Sequence, residues 1–166
     1  MNLLPEFQQA TDKLTPAEYQ RYLQGIELTD ITLEGLETSV NRLAVESSET
    51  FQLRLERKLR IDVQPDRQPA LLVEYLVRGM ARQKVAVKVR ATYRLQIETE
   101  RPLPVEFFAI YGKLSADMQV WPYFRELVSA VTSRMGVPRL TLPLRRSRHC
   151  CAKVLIRPVP DTNGVF

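Results

Sequence analysis

Apolar and polar positions alternate most clearly from Val85 to Ile97. There Val85, Val87, Val89, Ala91, Tyr93, Leu95 and Ile97 interleave with Lys88, Arg90, Thr92, Arg94 and Gln96. A period of two predicts a strand with one buried and one wet face. The segment from Phe51 to Val63 repeats the pattern, with apolar residues at every odd position except Arg57. Between these runs, Leu71 to Val77 is fairly apolar on both faces, which suits a central strand or one covered on both sides. Pro65 to Pro69 and Gly79 to Gln83 read as turns. An earlier run, Ile26 to about Val45, also alternates, but its apolar positions change parity between Leu28 and Ile31. A bulge near Thr29 and Asp30 would return them to one face.

Helical spacing appears at both ends of this strand region. Thr15-Pro16-Ala17-Glu18 has the capping-box pattern, with proline at the first helical position, and predicts a helix over 16–24 that ends at Gly25. Tyr19, Tyr22, Leu23 and Ile26 would face the main body. After Arg101-Pro-Leu-Pro104, residues Phe107, Phe108, Tyr111 and Leu114 recur at helical spacing. Pro122 then opens a longer helix with the stripe Phe124, Leu127, Val128, Val131 and Met135, closed by Gly136. Four antiparallel strands followed by two C-terminal helices, with a short N-terminal helix, is an α+β fold in which the helices cover one sheet face.

At 166 residues, 45% of them apolar, the chain is long enough for one domain with a proper core. A formal charge of +5 and a pI near 9.4 favour acidic partners. The N-terminus lacks a basic region followed by an apolar one, and it does not read as a signal peptide. No run approaches the roughly 18 apolar residues that span a bilayer, so neither membrane insertion nor an address other than the cytoplasm is expected.

Catalytic and metal chemistry find little support. The single histidine, His149, sits in a basic tail beside Cys150 and Cys151. Adjacent side chains diverge in extended chain, whereas zinc needs about four converging ligands. Neighbouring cysteines are also poorly placed for a disulfide. The six glycines are scattered, so no phosphate-cradling loop is present. No enzyme activity, cofactor or metal is expected. Arg54, Lys58 and Arg60 on one strand and Lys88, Arg90 and Arg94 on another give cationic faces that nucleic acid could use. They are interleaved with Glu56, Asp62 and Glu98 and carry no aromatic stacking pair, which favours a solvated face that discourages edge aggregation.

The stretch Trp121-Pro122-Tyr123-Phe124-Arg125-Glu126, followed by a helix and by Gly136-x-Pro138-x-Leu140-x-Leu142, resembles the C-terminal half of the SecB export-chaperone family. Asp30-Ile31-Thr32-Leu33-Glu34 is similar to the first-strand segment of that family. The resemblance covers residues 26–143, leaving a helical extension at 1–25 and a basic tail at 144–166. It implies an ATP-independent holdase for non-native polypeptide, a homotetramer built as a dimer of dimers, and a SecA-docking role for Asp30 and Glu34. Phe107, Phe108, Tyr111, Trp121, Tyr123 and Phe124 become candidates for a client groove or a subunit interface. The family is strongly acidic, whereas this chain is basic and its Lys88 to Arg94 strand is cationic, which would weaken docking to a positively charged SecA tail. SecB-like chaperones that protect an antitoxin fit a basic chain at least as well. A nucleic-acid-binding regulator and a dedicated subunit of one complex are the alternatives.

Overall fold

The capping box forms as its residues require: the Thr15 N–H donates to Glu18 Oε2 at 2.9 Å and the Glu18 N–H donates to Thr15 Oγ1 at 3.3 Å. This starts α1, Pro16–Gln24, which ends at Gly25. The computed structural model describes residues 14–47, 50–62, 67–144 and 155–156. The sequence expectations at Val63, Pro65, Asp66 and His149-Cys150-Cys151, and those for most of the basic tail, lie outside these residues.

Four long antiparallel strands follow: β1 (Ile26–Val40), β2 (Phe51–Asp62), β3 (Ala70–Ala81) and β4 (Lys84–Thr99). Their order across the sheet is β1-β4-β3-β2, with the two-residue β5, Leu155–Ile156, beyond β2. Strands β2, β3 and β4 follow one another and β1 returns beside β4, which is a Greek-key order. β3 is flanked on both sides, and every odd residue from Leu71 to Ala81 is buried, while on the other face Leu72, Glu74, Arg78 and Met80 are only half-buried. In β4 the odd residues from Val87 to Ile97 are buried.

Three sequence expectations change. β1 ends at Val40, and Val45 lies in a short helix, α2 (Arg42–Glu46), because Asn41 caps it by accepting from the Ala44 N–H at 3.2 Å. The β3–β4 turn is the pair Arg82-Gln83, with φ of 45° and 68°, so Gly79 belongs to β3. Positive φ at both central residues is what a two-residue hairpin needs to match strand twist. Pro122 does not open the last helix. Helix α3 (Val105–Tyr111) continues through a π-turn (Gly112–Ala116) into α4 (Asp117–Arg134), and Pro122 lies within α4 on the exposed side.

The described residues pack as two units. The first draws on Met1–Gly35, Arg57–Glu74 and Ala91–Trp121. Its centre is Phe107, fully buried, whose ring lies 5.4 Å from Tyr19, 5.8 Å from Tyr22 and 5.6 Å from Tyr111. Helix α1 buries no residue completely, so these two tyrosines are its anchor. Arg57, the polar exception in the β2 pattern, reaches the π-turn. It donates to the Gly112 carbonyl and its Nε lies 3.3 Å from Asp117 Oδ1. Arg57 thus gives the Gly112 carbonyl at the start of the π-turn a side-chain donor.

The second unit draws on Leu36–Glu56, Tyr75–Arg90 and Pro122–Phe166. Tyr75 and Phe124 stack at 4.8 Å in its core. Gly136, at φ 65°, ends α4 in the left-handed region that favours glycine. Arg42 donates to the Met135 carbonyl at 2.6 Å and the Gly136 carbonyl at 3.2 Å, a cation at a helix C-terminus where the dipole favours it.

Candidate functional site

The corner and exit segments that carry the SecB resemblance are bonded to each other. Arg125 Nε donates to the Leu142 carbonyl at 2.6 Å. The buried Thr132 hydroxyl accepts from the Leu140 N–H at 3.1 Å while donating to the Val128 carbonyl at 2.8 Å. Thr132, which the apolar stripe gave no reason to single out, fixes the extended exit against α4.

Of the six aromatic candidates, Phe107, Phe108, Tyr111, Trp121 and Phe124 are buried within the chain itself. Tyr123 alone among them is open to solvent, at 54%. Burial pushes the Tyr111 phenol up, partly offset by its hydrogen bond to Gln119 at 3.0 Å. Phe107, Phe108, Tyr111, Trp121 and Phe124 therefore belong to the chain's own core, and Tyr123 lies at the surface. In the first unit the exposed large apolar residues include Val105 at 61%, Leu114 at 57% and Met118 at 67%. Leu114 departs from the stripe its spacing suggested. The π-turn widens the helix there, so buried positions recur at Gly112, Ala116 and Val120 and Leu114 rotates outward beside Met118. In the second unit Tyr123, Leu43 and Leu144 are the most exposed large apolar groups.

The acidic candidates share a strand face, as alternate residues must. Asp30 is exposed and its Oδ2 accepts from Thr32 Oγ1 at 2.8 Å. Glu34 is ion-paired with Arg94, whose other nitrogen donates to Asp62 at 2.8 Å. The hydrogen bonds that Arg94 donates to Glu34, first, and to Asp62 hold its guanidinium above the ordinary value. Lys88, Arg90 and Arg94 of β4 are each ion-paired. Lys88 bonds Glu37, with Arg90 at 3.2 Å from the same carboxylate, and Lys88 first of all holds that carboxyl below the usual range. On the neighbouring strands Arg78 pairs with Glu56, and Lys58 lies 3.9 Å from Glu74. The composition-level charge thus overstates the free cation on these strands.

Among the described residues no group of three His, Cys, Asp or Glu could hold a metal ion. No helix among them is long and apolar enough to cross a membrane.

A Greek-key antiparallel sheet with a long C-terminal helix and a short N-terminal one is a SecB-like fold. The chain is similar in structure to the SecB-like chaperone Rv1957 of Mycobacterium tuberculosis, solved in complex with a ChAD peptide from the HigA1 antitoxin. The TM-score is 0.65 at 18% identity, over 76% of this chain and 95% of that one. A protein of unknown function from Streptococcus agalactiae aligns over 72% of this chain and 97% of that one, at a TM-score of 0.30 and 10% identity, too low to bear on the fold. No family model and no curated protein matches the sequence.

Proposed function

We propose that the chain is an ATP-independent holdase that binds non-native polypeptide through exposed apolar side chains and releases it to a partner. The observation that carries this is the SecB-like fold together with Val105, Leu114 and Met118 open on the first unit. Large apolar side chains left exposed suit a client bound without sequence discrimination. An antitoxin-type client fits better than hand-over to SecA, because Glu34, one of the two docking candidates, already has its charge offset by Arg94. Asp30 remains the free carboxylate of that pair of positions. A homotetramer in the cytoplasm completes the reading. Ion pairing of Lys88, Arg90 and Arg94 weighs against nucleic acid as the partner.

The test is binding of a fluorescently labelled, permanently unfolded polypeptide, compared with duplex DNA, by anisotropy at about 50 and 200 mM salt. The holdase reading expects the polypeptide to bind at both salts and DNA to bind weakly. Tight DNA binding that falls steeply with salt, with no polypeptide binding, would overturn it.

A further inference from the structure

The sheet has one outer edge that the chain itself has begun to extend. Leu155–Ile156 pairs antiparallel with the start of β2, Ile156 opposite Phe51 and Leu155 opposite Gln52. Only two residues of the twelve-residue β2 are covered in this way, and no described strand pairs with the outer side of Leu53 to Glu56. Phe51 and Leu53 are buried on one face, while Gln52, Arg54 and Glu56 stand on the other. Glu56 is engaged by Arg78, but Arg54 is exposed and has no ion pair among the described residues.

We propose that the outer edge of β2 over residues 51–56 accepts an extended partner segment in which apolar residues alternate with an acidic one. The chain's own Leu155–Ile156 holds the first rungs of that edge in the free protein. This deepens the holdase reading and rests on it, since it names the chemistry of the preferred client. Two features point to that occupant. A strand edge presents unpaired N–H and C=O groups whose natural partner is another strand. The side chain opposite each β2 residue shares its face, so residues across from Phe51, Leu53 and Leu55 extend the apolar side and the residue across from Arg54 meets a free cation. Leu155–Ile156 occupies only the first two rungs. A segment that continues past them with a carboxylate opposite Arg54 gains an ion pair there and displaces it.

The test uses the full-length chain and two labelled peptides of equal length, one alternating valine with glutamate and one alternating valine with lysine, with binding read by anisotropy. The wild type is expected to prefer the glutamate peptide, Arg54→Glu to reverse the preference, and Ile156→Pro to tighten glutamate-peptide binding roughly threefold or more by freeing the edge. Leu155→Pro repeats the last measurement at the other rung. Equal affinity for the two peptides, or no gain from either proline, overturns the proposal. So does peptide binding that requires a fall in particle mass, since a second copy would then occupy the edge. Aggregation suppression is recorded on the same samples. Suppression without peptide preference sinks the edge site alone, whereas peptide preference without suppression sinks the holdase reading and leaves the edge site standing.

Discussion

Removing one hydroxyl should loosen the exit segment that carries part of the SecB resemblance. Thr132 is fully buried, and its Oγ1 is the acceptor for the N–H of Leu140, itself buried at 1% exposure. Thr132→Val preserves the shape and nearly the helix propensity but leaves that N–H with no acceptor. An orphaned buried donor costs about 1–3 kcal/mol, and the added methyl recovers a few tenths, so a net loss of about 1–2 kcal/mol is expected. Thr132→Ser keeps both hydrogen bonds and loses one methyl, for a loss of about 1 kcal/mol. Urea unfolding reads both. With a slope of about 2 kcal/mol per molar, the valine variant should shift the midpoint down by roughly 0.5–1 M. Amide exchange separates the causes: the valine variant should speed exchange at Leu140, and the serine variant should not. A valine variant within about 0.5 kcal/mol of wild type, with exchange at Leu140 unchanged, would refute the role assigned to the hydroxyl.

Three other changes probe the two units. Arg57→Met removes the cation beside Asp117 and the donor to the Gly112 carbonyl, both side chains being only 14% exposed, and should cost about 2–4 kcal/mol in thermal unfolding; a negligible loss would mean that the π-turn does not depend on it. Gly112→Ala would place a Cβ 2.2 Å from Leu59 Cδ2, so despite its better helix propensity it should destabilise by about 1–3 kcal/mol, with Leu59→Ala restoring most of the loss in the same chain. The Glu37 carboxyl is held below its ordinary 4.5, so its contribution is present above that value and is lost as pH falls through the lower folded value; an NMR titration should show the Glu37 pKa moving back up toward 4.5 in Lys88→Met.

What the sequence made legible follows from local rules that tertiary structure left alone. The capping box at Thr15, the central position of β3 and the alternation of β4 from Val87 to Ile97 follow from spacing within a few residues, and each forms. The parity change in β1 is also present, since its half-buried positions run Ile26, Leu28, Ile31. The missed features need information from elsewhere. Arg82-Gln83 adopts positive φ without asparagine or glycine, so the hairpin left no compositional mark and Gly79 drew the turn toward itself. The π-turn adds a residue to the helical repeat, and Leu114, placed by an ideal period, comes out on the wet side. Pro122 looked like a helix start because proline suits a first turn, yet the helix begins upstream. Arg57 was visible as an exception to the β2 pattern, but its partners lie 55 and 60 residues away. Net charge suggested free cations on β4, whereas the carboxylates that neutralise them come from β1 and β2.

The decisive measurement for the holdase reading is suppression of aggregation of a chemically unfolded, unrelated protein, with wild type compared with a Leu114→Asp, Met118→Asp double variant of unchanged fold by circular dichroism. Both side chains are more than half exposed, so the charges should be tolerated. Wild type should suppress scattering near stoichiometric ratio, and the double variant should lose most of this activity. Failure of wild type to suppress aggregation would contradict the holdase reading, and equal suppression by the variant would contradict the surface assigned to it.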